Sequence, residues 1–173
     1  MGALITAKEN FHAVSLSGGK DSTCLLLLMI ERGLPIDAVI WADTGMEFPE
    51  MYGHISKVDE HLYRERGLHI TTLRSPKSFE YMMFDEPKQK PSTLENRARL
   101  GVPPYGNGWP GIKVRWCTGQ LKTHQINKEL TRLKGQHRLQ QYCGHRAQCF
   151  SVCRKISGGC DQWIHRYYGG CIQ

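Results

Sequence analysis

Two consecutive glycines bracketed by serines set the local architecture of this chain. Ser17-Gly18-Gly19-Lys20-Asp21-Ser22 separates an apolar run at 11–16 from a second at 24–30, a pattern that reads as strand, tight turn and helix. The glycines keep Cβ atoms out of the turn, so the backbone can approach a ligand closely. The start of the helix offers unpaired N–H groups and the positive end of its dipole to an anion. Lys20 contributes a mobile positive charge, and Ser17 and Ser22 contribute hydroxyls. These six residues, Ser17, Gly18, Gly19, Lys20, Asp21 and Ser22, are expected to cradle phosphates.

Two other phosphate loops are excluded by position. A Walker A loop ending at Gly19-Lys20 needs Gly at 14 and Ser or Thr at 21, where this chain has Val14 and Asp21. A dinucleotide fingerprint starting at Gly18 needs glycines at 20 and 23, where it has Lys20 and Thr23.

Beyond the loop the pattern predicts a helix over 21–32, a strand over 36–41, a helix over Pro49–Arg66 and a strand over 68–73. A short helix is expected at 78–84, a long proline- and glycine-rich loop or lid at 85–111 carrying Arg97, Arg99, Tyr105 and Trp109, a helix over 116–134 and a strand over Arg138–Cys143. Alternating strands and helices imply an α/β fold: a doubly wound, mostly parallel sheet of four or five strands. Ligands of such sheets bind beyond the carboxyl ends of the strands, so the 17–22 and 43–49 loops are expected to share one site.

At 173 residues the chain suits a single core, with a nucleotide-binding domain at 1–142. Its 23 Lys and Arg against 16 Asp and Glu give +7, which suits an anionic partner: a nucleotide, with nucleic acid a further class. The apolar stretch 24–30 is too short to cross a bilayer, so the expectation is a cytoplasmic protein with no membrane partner. Seven cysteines in that setting point to thiol or metal chemistry.

Two more clusters carry chemistry. Asp43-Thr44-Gly45 follows an apolar strand, where the Asp43 carboxylate can take Mg²⁺ or a ribose hydroxyl and the three residues can line a nucleotide. Arg115-Trp116-Cys117 opens a helix: Arg115 can clamp phosphate or sulfate, the free N–H groups favour an anion or a thiolate at Cys117, and Lys122 lies about one turn on.

In these three motifs the chain resembles the PP-loop superfamily, and within it the phosphoadenylyl-sulfate reductase family. Ser-Gly-Gly-x-Asp-Ser at 17–22 is the loop. Thr44-Gly45 with Phe48-Pro49 is similar to the family's segment after strand two, and Arg115-x-Cys117 with Leu121-Lys122 to its Arg-x-Cys helix. The resemblance covers roughly 11–142. It implies an adenine-nucleotide ligand (ATP, adenylyl sulfate or phosphoadenylyl sulfate) and attack by a thiolate, with Cys117 as the candidate, on an activated sulfate, helped by a thiol reductant. Arg115 and Lys122 would hold the second anion. Two alternatives stand beside it: an ATP pyrophosphatase or sulfurtransferase-type enzyme using Mg²⁺ to adenylate a nucleic-acid or small acceptor, and a non-catalytic nucleotide-binding module.

The stretch 143–173 departs from the family pattern. It is an atypical tail with five of the seven cysteines and neither Leu nor Glu, and the family's strand, acidic pair and mobile Cys nucleophile are not matched there. The spacing of Cys143, Cys149, Cys153 and Cys160 lacks a Cys-x-x-Cys pair and argues against an iron–sulfur cluster.

Overall fold

A computed structural model of the chain describes residues 10–112 and 114–144. Four strands, β1 (Asn10–Leu16), β2 (Ala38–Asp43), β3 (Ile70–Arg74) and β4 (Arg138–Cys143), form one sheet in the order β3-β2-β1-β4. β1 pairs in parallel with β2, Val14 opposite Val39 and Leu16 opposite Trp41, and on its other side with β4, Val14 opposite Tyr142. The order steps outward from β1 through β2 to β3 and then returns to the far side of β1. Such a reversal is the topological switch point of a doubly wound α/β sheet, as the sequence leads one to expect.

The helices are α1 (Lys20–Glu31), α2 (Pro49–Arg66), α3 (Pro91–Arg99) and α4 (His124–Lys134). Nearly every side chain of α1 from Ser22 to Ile30 is buried, which explains its almost unbroken apolar sequence: a helix covered on most sides needs no polar stripe. α2 has the opposite composition and buries a single row, Ile55, Val58 and Leu62. Pro49 presets its first turn, and Gly67, with φ +65°, ends it in the left-handed conformation. At the far end of α1, one guanidinium nitrogen of Arg66 donates to the carbonyls of Met29, Ile30 and Leu34, each at 3.1 Å. The Met29 and Ile30 carbonyls also accept from the Leu34 and Gly33 N–H groups, so Arg66 adds charge-assisted bonds to a terminus the backbone has already closed.

The chain divides into two compact units. One contains the described parts of Met1–Trp41, Phe48–Thr72 and Lys128–Gln173, the other Ala42–Glu47 and Leu73–Asn127. The first unit holds the main core: Val14, Leu16, Leu26, Met29, Val39, Trp41, Ile55, Val58 and Leu62. Each of these side chains gains about 1.5–3 kcal/mol on burial. The second has a smaller cluster, Phe79, Met82 and Leu121, flanked by Met83, Trp116 and Cys117.

Two expectations are corrected in the second unit. The segment 85–111 is not an unpatterned loop, because it contains α3 and a fold-back in which Pro87 bridges Tyr105. Arg97 pins the return, donating to the carbonyls of Pro103 at 2.6 Å and Tyr105 at 2.7 Å. Helical periodicity is invisible there because α3 buries none of its residues. The second correction is that 116–134 is not one regular α-helix: Thr118–Thr123 is a π-helical turn leading into α4. Another π-turn, Tyr81–Asp85, stands where the short helix was expected.

Candidate functional site

The glycine loop leaves β1 at the switch point. Gly18 has φ +79°, which favours glycine, and a Cβ there would also have to displace the flexible Met51 thioether. The serines close the turn on itself. The Ser17 N–H donates to Ser22 Oγ at 3.1 Å, the two hydroxyl oxygens lie 2.9 Å apart, and the Ser22 hydroxyl donates to the Gly19 carbonyl at 3.0 Å. Gly19 caps α1 with no side-chain bond. The first backbone bond of the helix runs from Thr23 N–H to the Gly19 carbonyl at 3.1 Å, leaving the N–H groups of Lys20, Asp21 and Ser22 without an intrahelical acceptor. Gly19 and Lys20 are exposed, whereas Ser22 is buried with its hydroxyl committed to the loop.

Two residues that sequence reasoning passed over support this loop. His54 of α2 places Nε2 3.1 Å from the Thr23 hydroxyl. Burial pushes the His54 imidazole pKa down, and the Lys57 charge adds to that. Gly144, just after β4, lies so close that a Cβ on it would sit 2.5 Å from the Ser22 N and Cα atoms. A glycine following a strand was the available signal for such an approach.

In the second unit the Asp43 side chain is fully buried. Its Oδ2 accepts from Arg74 Nε and Nη2, both at 2.7 Å, and its Oδ1 accepts from the Gly45 N–H at 2.8 Å. Asp43 thus ties down the turn through Thr44 and Gly45, whose φ is +78°. The Thr44 hydroxyl donates to Glu47 Oε1 at 3.1 Å, and the same oxygen pairs with Lys122 Nζ at 2.8 Å.

Arg115 stands elsewhere. It lines an open cleft of about 460 Å³ together with Thr118, Gly119, Thr123, His124 and Asn127. Lys122 is not among these residues and pairs with Glu47. His124 N–H bonds to the Gly119 carbonyl five residues back, which places 123 and 124, rather than 122, in line with 118 and 119. Cys117 carries a free thiol, half-buried beside the Phe79, Met82 and Leu121 cluster.

Among the described residues no group of three or more His, Cys, Asp or Glu could hold a metal ion, and no helix is long and apolar enough to cross a membrane. Cys149, Cys153 and Cys160 lie outside the described residues.

Residues 12–148 match the family described as phosphoadenosine phosphosulfate reductase domain. No curated protein and no solved structure matches the chain.

Proposed function

From the premise that the chain belongs to the phosphoadenosine phosphosulfate reductase domain family, we propose that it binds a sulfated adenine nucleotide and catalyses thiol-dependent reduction of the activated sulfate. The observation that carries this reading is the serine-locked loop. Its hydroxyls are spent holding the turn, so the helix start at Gly19–Lys20 and the exposed Lys20 side chain are what remains to meet a phosphate.

In the proposed reaction a thiolate attacks the sulfate sulfur. A sulfur–sulfur bond forms, the sulfur–oxygen bond to the nucleotide phosphate breaks, and the nucleotide leaves with that electron pair. A second thiol then displaces sulfite and ends in a disulfide with the first, so two thiols are oxidised as the sulfur is reduced. Cys117, free and at the start of a helix, is the candidate nucleophile within the described residues, and an external dithiol protein supplies the reducing equivalents. A cytoplasmic location suits this chemistry, because thiols stay reduced there.

The test is calorimetric titration with ATP, adenylyl sulfate and phosphoadenylyl sulfate, each with and without Mg²⁺, on the wild type and on Lys20→Ala. Tighter binding of a sulfated nucleotide, weakened about 10- to 100-fold in the variant, is the expected result for loss of one charge-assisted contact. Binding of ATP alone, and only with Mg²⁺, would replace the reductase reading with an adenylating one.

A further inference from the structure

We propose that the fold-back of the second unit is a docking surface for single-stranded nucleic acid, with Tyr105 and Trp109 as stacking platforms and Lys90 and Arg99 as phosphate contacts. The surface goes beyond the reductase reading and does not depend on it.

Charge is the first observation. Residues 88–115 hold six basic side chains and one acidic, Glu95, and so supply +5 of the chain's +7. A basic excess gathered in one segment is the electrostatic footprint of a polyanion. Lys88 and Arg97 are spent within the fold: Lys88 on Glu86 and Asn107, Arg97 on the carbonyls of Pro103 and Tyr105. Lys90 and Arg99 are exposed and pair with no carboxylate among the described residues, Arg99 donating to the Asn96 amide oxygen at 2.9 Å.

The second observation is a well-bonded frame that holds large rings in water. Around the Pro87–Tyr105 bridge, the Lys88 N–H donates to the Pro104 carbonyl at 2.9 Å and the Gly106 N–H to the Glu86 carbonyl at 2.8 Å. The Asn107 and Gly108 N–H groups donate to the Met82 and Met83 carbonyls, each at 3.0 Å. Gly106 has φ +67°, and a Cβ on it would sit 2.5 Å from the Met83 carbonyl oxygen, so the close approach of the two segments needs glycine. On this frame Tyr105 is 51% exposed and Trp109 71%, although Trp109 keeps an edge contact with Phe79, ring centroids 6.3 Å apart. Exposed rings fixed in this way are preorganised for a partner.

The arrangement along the chain decides the class of partner. Protein interfaces gather apolar groups in a core and leave charges to the rim. Here the cations stand on both sides of the two rings, at 88–99 before them and at 113–115 after. Each nucleotide likewise offers a charged phosphate beside a flat base. Base faces are open to a side-chain ring only in an unpaired strand, which makes the ligand single-stranded. Tyr105 and Trp109 are four positions apart, so their Cα atoms are separated by at most about 14 Å and one short strand reaches both.

The test is fluorescence anisotropy of RNA and DNA single strands of about 16 nucleotides, with the same DNA as a duplex and polyglutamate as competitors. The expected result is that single strands bind in preference to the duplex. Trp109→Ala and Tyr105→Ala each weaken binding about fivefold or more, and Trp109→Phe restores it, as stacking on a ring requires. Lys90→Gln with Arg99→Gln reduces the steepness of log affinity against log salt by about 1.4, the value for two phosphate contacts on a single strand. The same neutralisation at Lys57 and Lys128, exposed on the first unit, leaves it unchanged. Should Trp109→Ala melt early through loss of its Phe79 contact, Tyr105→Ala carries the test.

Binding that ignores both ring variants, or a duplex held as tightly as the single strand, overturns the proposal. Uptake of polyglutamate with no oligonucleotide binding also overturns it and assigns the face to an acidic protein. Lys20→Ala separates this surface from the glycine loop. If that variant abolishes oligonucleotide binding while the ring variants bind like wild type, the strand occupies the loop and the surface fails. If oligonucleotide affinity survives Lys20→Ala and falls in the ring variants, the surface stands whatever becomes of the reductase reading.

Discussion

Lys122 Nζ lies 2.8 Å from Glu47 Oε1, an oxygen that also accepts from the Thr44 hydroxyl at 3.1 Å. A lysine whose place in the sequence suggests a ligand contact is therefore neutralised by a carboxylate from the turn after β2. The charge is held in reserve for the turn, and whether it also serves a ligand depends on what happens when Glu47 is removed.

Glu47→Gln keeps the shape of the side chain and removes its charge. The pair is partly exposed, so the fold loses under about 1 kcal/mol, read as a small change in the urea midpoint. If Lys122 acts only on the turn, the affinity for adenylyl sulfate stays within twofold of wild type by calorimetry. A gain of fivefold or more would show that Glu47 had been competing with the ligand for Lys122.

Asp43 is a stronger case because its carboxylate is fully buried. Asp43→Ala strips two bonds from Arg74 and one from the Gly45 N–H. The expected loss is about 1.5–3 kcal/mol in chemical denaturation, from the bonds to a charged acceptor, because the donors on Arg74 and Gly45 are exposed and turn to water. Asp43→Asn retains an acceptor for Gly45 and loses less. If Asp43 were instead free to take Mg²⁺, the alanine variant would melt like wild type and differ only in metal-dependent binding.

Much of this was legible in the sequence for a physical reason: buried β-branched strands and the glycine punctuation at 18, 33 and 67 constrain the chain locally. Pro49–Arg66 and Arg138–Cys143 were read at their full bounds, and the strand-loop-helix around 17–22 follows from the same signals. What escaped depends on partners distant in sequence or on a helical period other than 3.6. α3 buries no residue, so it carries no periodic stripe. The π-turn at Thr118–Thr123 changes which residues share a face, a change that a 3.6-residue period cannot announce. His54 reaches the glycine loop from α2, which no local pattern announces, and Gly144 does so from the end of β4, where a glycine after the strand was the single signal.

Acid should weaken the first unit through His54. Burial lowers its pKa in the folded state, so the unfolded chain takes up the proton first and stability falls as the pH drops below roughly 6.5, the ordinary histidine value. Above that pH the imidazole is neutral in both states and its contribution is fully present. His54→Gln, which can still bond the Thr23 hydroxyl, should flatten the stability profile between about pH 7 and 5. An unchanged slope in the variant would assign the acid sensitivity to other groups.

Gly18→Ala tests the two demands made on that glycine. The left-handed backbone costs an alanine about 1–2 kcal/mol, and the new methyl overlaps the Met51 sulfur. Gly18→Ala should therefore destabilise by more than the backbone term alone. Adding Met51→Ala should return the overlap part, after allowance for the cavity that this second change makes by itself. The double-mutant cycle isolates the overlap as a coupling energy, and a coupling near zero would mean that the thioether swings aside without cost.

Gly144→Ala separates loop geometry from loop chemistry. The substitution touches none of residues 17–22, yet its Cβ would press on the Ser22 backbone, which cannot swing aside as a flexible side chain can. Either β4 or the start of α1 must shift by several tenths of an ångström. Both are packed elements, so the expected cost is about 1–3 kcal/mol in stability. If the N–H groups of Lys20, Asp21 and Ser22 form the phosphate cradle, nucleotide affinity falls at least tenfold at a temperature where the variant is still folded, because such donors act only when held in position. Ser17→Ala, which removes a bond inside the loop but leaves β4 alone, should reproduce the loss of affinity at smaller cost in stability. A stable Gly144→Ala protein with wild-type affinity would show that the nucleotide is held by side chains rather than by the start of α1.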